Sequence, residues 1–247
     1  MKKTNKTNKI EYVYIDGVPY LVCVDTETIG TCNDAIPFEI GIKIINLITR
    51  EIVYQKSFIV RRYFNNKDVM RCTFSANKYP KYLEAVKDKE LYFIGSVREI
   101  MSRIDKVFKR FNIEYMMAHH ATFDIDAIAN LCNEFGVFNP FARLDYIDSM
   151  SVSTIITFSK DYVDYCNANA HIQDNKRESA FITNSGRVRM TAQAIYSYLI
   201  KNPLYQEEHM ALADIDIEIA ILYASLDLLG NRQIRINYTP HWTDYKN

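Results

Sequence analysis

Three short blocks of the sequence carry residue types suited to metal-assisted chemistry. They are Val24-Asp25-Thr26-Glu27-Thr28, His119-His120-Ala121-Thr122-Phe123-Asp124 and His209-Met210-Ala211-Leu212-Ala213-Asp214. Together they supply four carboxylates, Asp25, Glu27, Asp124 and Asp214, and one imidazole, His209. Carboxylates brought together repel: at roughly 4 Å a pair costs about 1 kcal/mol in water and about 4 kcal/mol at intermediate dielectric. Such a cluster stays ionised only when cations neutralise it; otherwise some of its pKa values rise. Hard oxygen donors select Mg2+ or Mn2+ over zinc. Two such ions, about 3.5–4 Å apart, hold the attacking and the leaving oxygen of an in-line displacement. The chemistry this implies is hydrolysis of a phosphodiester bond.

Each residue also has a plain alternative. Asp25 and Glu27 lie two apart on Tyr20 to Thr26, an apolar run after Pro19 that reads as a buried strand. Side chains alternate across a strand, so both acids point to one face and Thr26 to the other. They stand at the C-terminal end of that strand, where open α/β sheets bind ligands. The alternative is a strand that runs into a polar turn at Thr28-Ile29-Gly30. Asp124 falls in the first turn of a helix, where an acid also complements the helix dipole; Asp126 could do the same. His209 and Asp214 are five apart, which on one continuous helix turns roughly 140° and points them away from each other. A helix starting near Met210 or Ala211 leaves His209 in the preceding loop, able to swing its ring toward Asp214. The neighbouring Glu207 and Glu208 make a solvated loop the alternative.

The elements that must position these residues follow from periodicity. Phe38 to Asn46 and Ile52 to Val60 are further strand candidates, joined to the first by short connections. Gly95 to Phe111 has apolar residues at helical spacing. Glu114 to Ala118 is a short strand, and Phe123 to Phe135 a helix that Gly136 stops. Leu144 to Ile147 is a fifth strand, with a helix from about Asp148. Tyr162 to Arg189 reads as a long polar loop, before helices over about Thr191 to Ile200 and Ala211 to Leu229. This order suggests an α/β fold, a mixed sheet covered by helices on both faces.

The 247 residues suffice for one large domain. No apolar run is long enough to span a bilayer. Met1 to Lys9 lacks an apolar core, so it reads as a polar tail rather than a secretory signal. The five cysteines, Cys23, Cys32, Cys72, Cys132 and Cys166, are odd in number and form no C-x-x-C pair. A reducing cytoplasm is therefore expected. A zinc site from Cys166 and His171 lacks two further ligands nearby. The formal net charge of zero gives no global case for nucleic-acid binding. Locally, however, Arg61 to Lys81 holds Arg61, Arg62, Lys67, Arg71, Lys78 and Lys81 against the single acid Asp68, interleaved with Tyr63, Phe64, Phe74 and Tyr79 and followed by Tyr82. This is the composition of a single-strand groove, or equally of a connector whose aromatics dock on the core.

The three blocks resemble the motifs of the DEDD-type 3′→5′ exonucleases, in the subclass that ends H-x-x-x-x-D (DEDDh). The resemblance runs from about Tyr20 to Leu229, and the match over His209 to Leu222 is very close. Two departures stand out: His120 where the family usually has Asn, and Ile29 where a second Thr is frequent. Tyr165-Cys166-Asn167, Phe181 to Gly186 and Met190 to His209 are similar to a group encoded by bacterial viruses and their hosts. The resemblance implies an RNase H-like fold, with a five-stranded mixed sheet whose second strand is antiparallel. It implies one exonuclease domain over 18–232, with a lead-in at 1–17 and a tail at 233–247. It implies that Asp25 bridges two divalent cations, Mg2+ or Mn2+. Glu27 and Asp214 complete the site of the ion that activates water, and Asp124 serves the second. His209 is then the general base, for which an imidazole pKa of about 6.5 is suited.

The implied substrate is the 3′ end of single-stranded DNA, with RNA as the alternative, and the product a nucleoside 5′-monophosphate. A homodimer or a replication-associated partner is the expected company; no membrane is. An inactive nucleic-acid-binding module would be expected to have lost an acid, yet all four and His209 are present. Asp148, in Ile147-Asp148-Ser149, resembles the family's acid at the end of the fifth strand, though a helix N-cap is its simplest role. Tyr198 and Tyr205 are either stacking residues near the site or core.

Overall fold

The computed structural model describes residues 11–30, 34–71, 76–174, 178–230 and 233–240. The tail at 1–9, Cys32, Cys72, Phe74, the side chain of Lys78 and residues 241–247 lie outside them.

The strands are β1 (Glu11–Tyr14), β2 (Tyr20–Ile29), β3 (Ile36–Asn46), β4 (Ile52–Val60), β5 (Tyr92–Gly95), β6 (Tyr115–Ala118), β7 (Asp145–Asp148) and β8 (Gln233–Ile236). The helices up to the centre of the chain are α1 (Arg61–Phe64), α2 (Lys67–Arg71), α3 (Tyr79–Ala85), α4 (Val97–Phe111) and α5 (Ala121–Phe135). Then come α6 (Ser149–Val152), α7 (Thr154–Thr157), α8 (Lys160–Ala168), α9 (Ala192–Leu199) and α10 (Ala211–Leu228).

The main sheet has the order β5-β4-β3-β2-β6-β7. β3 runs antiparallel to both its neighbours, and the β2–β6, β6–β7 and β4–β5 pairs are parallel. The antiparallel second strand is as expected. The strand count is not: the sheet has six strands rather than five. The added strand is β5, four residues paired in parallel with β4. Its four residues run straight into the helical spacing that starts at Gly95, and pairing with β4 marks them off as a strand.

The two faces of β2 bury different helices. Val22 and Val24 belong to a cluster with Ile100, Ile104 and Phe108 of α4 and Ile128 and Leu131 of α5. Leu21 and Cys23 belong to a cluster with Ile215, Ile219, Leu222 and Leu226 of α10. α10 is apolar nearly all round because its other side packs on α9 and the segment beyond α8.

That segment corrects the expectation of a long loop over Tyr162 to Arg189. It opens with helix α8, and Phe181 beyond it is buried. The Tyr162 hydroxyl donates to the Arg189 carbonyl at 2.5 Å. Buried side chains fasten what polar composition suggested was unattached. β1 and β8, from either end of the chain, pair with each other. Among the described residues no helix is long and apolar enough to cross a membrane.

Candidate active site

β2 carries Asp25 and Glu27 at its C-terminal end, on the face covered by α10. In the antiparallel register Asp25 pairs with Gly41 and Glu27 with Glu39 of β3. Gly41 sets how closely α10 approaches: a Cβ there would lie 2.6 Å from the Ala211 Cβ and 3.0 Å from the Ala211 carbonyl carbon. A glycine inside a strand marks such a close approach, and here it brings the first turn of α10, with Asp214, down beside Asp25. Gly41→Ala is expected to push that turn outward. The cost is about 1–3 kcal/mol of stability, and activity should fall even at temperatures where the variant is folded. Thermal melts run beside turnover measurements would check both.

Glu39 locks the same turn. It is fully buried and accepts from the Ser57 hydroxyl at 2.6 Å, the Tyr82 hydroxyl and the Ala211 N–H at 3.3 Å. Burial pushes its carboxyl up, while these three donors favour its charged form. It satisfies an N–H at the start of α10 that lacks a helical partner. Tyr82 lies in the aromatic-rich connector and is itself fully buried. Tyr63 and Phe64 are also buried and Tyr79 packs against the same cluster, so these aromatics dock on the core.

His209 lies in the loop before α10, as its spacing predicts. Met210 is the N-cap, and His209 has φ 51°, a left-handed conformation. Its Nδ1 stands 3.9 Å from Glu207 Oε2. Glu27, His209 and Asp214 each present one donor atom, and these atoms lie within 4.8 Å of one another.

Asp124 comes from the opposite face of the sheet. It stands in the first turn of α5, and its Oδ1 accepts from Thr26 Oγ1 at 2.7 Å. Thr26 does point away from Asp25 and Glu27, and that is what lets it anchor Asp124. Asp126 is exposed, outside the cluster. His120, in the place of the family's Asn, has φ 64° and ψ 52°. Asn, Asp and His are the non-glycine residues enriched in that left-handed conformation.

Asp148 is the N-cap of α6, accepting from Met150 N–H at 2.9 Å. It also accepts from the N–H groups of His120 (3.1 Å) and Ala121 (3.0 Å), so one buried carboxylate holds two helix starts. His119 is sandwiched between Ser149 Oγ and the Met190 carbonyl, both at 2.8 Å. A carbonyl only accepts, so Nε2 carries the proton and Nδ1 accepts from Ser149. Burial holds His119 below its usual pKa, in keeping with that neutral form.

A fifth acid joins the cluster. Glu218 is one turn beyond Asp214 on α10 and is buried. Its Oε1 accepts from His119 N–H at 3.2 Å, and its Oε2 has no hydrogen-bond partner among the described residues. The i, i+4 spacing from Asp214 was the signal in the sequence. Tyr198 packs edge-on against Tyr162 and Tyr165, and Tyr205 against Tyr196, in the cluster below α10. Tyr205 also feels the charges of Asp214 and Glu207, after burial, and its hydroxyl is raised to about 12.

Burial, then the charges of Asp124, Glu218, Asp214 and Glu27, holds Asp25 well above the ordinary carboxylate range. Burial raises Asp124 to about 7 against the opposing hydrogen bond from Thr26. Burial and then Asp124 raise Glu218. These are carboxylates short of positive charge, with all-oxygen donors from four of the residues and one imidazole. The set fits hard divalent cations. A carboxylate whose folded pKa exceeds its unfolded value of about 3.9 favours the fold at low pH and ceases to as pH rises. With Asp124 at about 7, the metal-free protein is expected to lose stability from about pH 4 to pH 7. A cation at 100 times its Kd adds about 2.7 kcal/mol, or about 5–11 °C in thermal midpoint for a chain of this size. A midpoint at pH 7.5 indifferent to Mg2+ and Mn2+ in scanning calorimetry would count against a metal site.

No protein-family model matches the sequence, and no curated protein matches it significantly. Solved structures do match. The nuclease domain of 3′hExo, a DEDDh family member bound to rAMP, superposes with a TM-score of 0.56 at 13% identity, covering 90% of this chain and 98% of that one. E. coli exonuclease I in complex with a dT13 oligonucleotide gives 0.51 at 13% identity, covering 84% of this chain and 40% of that one. The zinc-bound form of the E. coli exonuclease I–single-stranded DNA complex gives 0.52 at 12%, covering 86% and 41%. The fold is the RNase H-like fold of the DEDDh exonucleases. The chain thus spans about 40% of the length of exonuclease I but nearly all of the 3′hExo domain.

Proposed function

We propose that this protein is a metal-dependent 3′→5′ exonuclease that hydrolyses DNA from its 3′ end and releases nucleoside 5′-monophosphates. The observation that carries the reading is the convergence of Glu27, His209 and Asp214 donor atoms within 4.8 Å, beside Asp25 and Asp124. Lone acids have structural uses; four carboxylates drawn together from two faces of a sheet, with an imidazole beside them, have none that would repay their repulsion.

In this reading Asp25, Glu27, Asp214 and Asp124 would hold two divalent cations, Mg2+ or Mn2+. Those ions, when bound, supply charge stabilisation for both the attacking and the leaving oxygens. His209 takes a proton from the attacking water, and Glu207 lies beside the imidazolium that forms. Thr26 and Glu39 keep Asp124 and the start of α10 in place. The domain occupies about residues 18–232, and the similarity of Tyr165 to Asn167, Phe181 to Gly186 and Met190 to His209 to viral enzymes is part of the same reading.

Exonuclease I neighbours are bound to deoxyoligonucleotides and the 3′hExo neighbour to rAMP, so the sugar needs its own test. Matched DNA and RNA oligomers, labelled at the 5′ end and incubated with Mg2+ or Mn2+, should give a descending ladder with DNA degraded faster. Preferential loss of the RNA would transfer the assignment to an exoribonuclease.

A further inference from the structure

The arginines of the basic connector are not used by the site above. Arg61 and Arg62 of α1 and Arg98 of α4 line one cleft, a cavity of about 550 Å³, together with Asn65, Ser96 and Phe135. All three arginines are exposed. Arg61 donates to the Ile94 carbonyl at 3.1 Å and stands 3.9 Å from the Glu99 carboxylate. The Arg62 guanidinium lies 5.3 Å above the Phe135 ring. Among the described residues neither Arg62 nor Arg98 is in an ion pair. Two acids of the flanking helices are engaged: Glu99 of α4 closes the capping box with Ser96, and Glu134 of α5 accepts from Tyr63 at 2.8 Å.

The cleft lies at the same edge of the sheet as the carboxylates. β4 and β5 end at Val60 and Gly95, and β4 is antiparallel to β3, as β2 is. The C-terminal ends of β2, β4 and β5 therefore share one edge. Helix α5 joins the two places: Asp124 is in its first turn and Phe135 is its last residue. Eleven residues at 1.5 Å each separate them by roughly 16 Å along the helix. At about 3.4 Å per stacked nucleotide that is about five nucleotides, and fewer where the strand is drawn out.

We propose that the cleft of Arg61, Arg62 and Arg98 is an anchoring site for the phosphodiester backbone of a single-stranded nucleic acid, a few nucleotides upstream of the 3′ end held at the carboxylates. The arginines take phosphate oxygens. The interaction reads charge, not sequence. The inference rests on the nuclease reading for what occupies the carboxylates, but its binding readout does not need hydrolysis.

The test uses the full chain with Arg62→Ala and Arg98→Ala, singly and together, and Lys106→Ala as an exposed control on α4 away from the cleft. Binding of a fluorescent single-stranded 12-mer is followed by anisotropy in EDTA, where nothing is cut. The double variant should bind about tenfold more weakly, and the slope of log K against log salt should shrink by about 0.7 for each phosphate that is no longer neutralised. In the presence of Mg2+ its KM should rise for the 12-mer and stay unchanged for a dinucleotide, which cannot reach the cleft. An unaltered salt slope, a KM rise that is equal for dinucleotide and 12-mer, or an equal weakening in Lys106→Ala overturns the proposal. So does a parent protein that binds no 12-mer. Weakened binding in a chain that hydrolyses neither substrate keeps the cleft and removes the exonuclease reading instead.

Discussion

Asp25→Ala is expected to lower kcat/KM for oligonucleotide hydrolysis by about 10⁴-fold or more, with the thermal midpoint of the metal-free protein unchanged or raised. The two halves of that result have one cause. Asp25 sits among Glu27, Asp124, Asp214 and Glu218, and burial and their charges oppose its ionisation. Removing it relieves repulsion in the folded state and leaves no cavity comparable to loss of an apolar core residue. Removing it also takes away one of the carboxylates proposed to hold the cations. A residue kept for stability behaves the opposite way, losing stability first and activity through it. Calorimetry in EDTA, run beside initial rates with saturating Mg2+, separates the two. An Asp25→Ala protein that hydrolyses DNA at the parental rate would place the chemistry elsewhere. The divalent cation should stabilise this variant less than it stabilises the parent.

His209→Ala is expected to lower kcat by about 10²–10⁴-fold, the range for loss of a general base, while KM changes little. His209 precedes the N-cap of α10 and its side chain is only partly buried, so the substitution removes little packing. Its backbone conformation, with φ 51°, is retained by Ala at a modest cost. The distinguishing readout is the pH–rate profile. If His209 accepts the proton, the parent loses rate as the imidazole becomes protonated, and the variant lacks that limb and recovers partly as hydroxide becomes available. A variant with a reduced rate but the parental profile would mean that His209 positions the loop, through the Tyr82 hydroxyl that reaches its carbonyl at 3.4 Å, and does not carry the proton.

The pairing of Asp25 with Glu27 could be read from the chain because the period of a strand is local: two residues apart is one face wherever the strand lies. The placement of His209 was readable for the same reason, since five residues on a helix cannot converge and a loop must intervene. Helix α4 was visible from its spacing and is closed at its start by the Ser96–Glu99 capping box. β5 was not visible, because it adjoins the helical spacing that starts at Gly95 and its partner is β4, 35 residues earlier. The segment after Tyr162 looked like loop because its polar residues outnumber the few, such as Phe181, that tie it to the core.

By itself, then, the sequence determined which residues could do chemistry, which face of its own element each occupies, and the order of strands and helices that carries them. Only the tertiary structure decided which ends meet. It brought Asp124 through from the far face of the sheet to Thr26, set Glu218 among the acids, and let Gly41 and Glu39 seat the first turn of α10. It also sent Tyr63, Phe64 and Tyr82 of the basic connector to the core and left Arg61 and Arg62 lining the cleft. The physical reason is one of range. Periodicity and capping act within a few residues, whereas a cluster of buried charges is a property of distances between elements that the chain separates by about ninety residues or more.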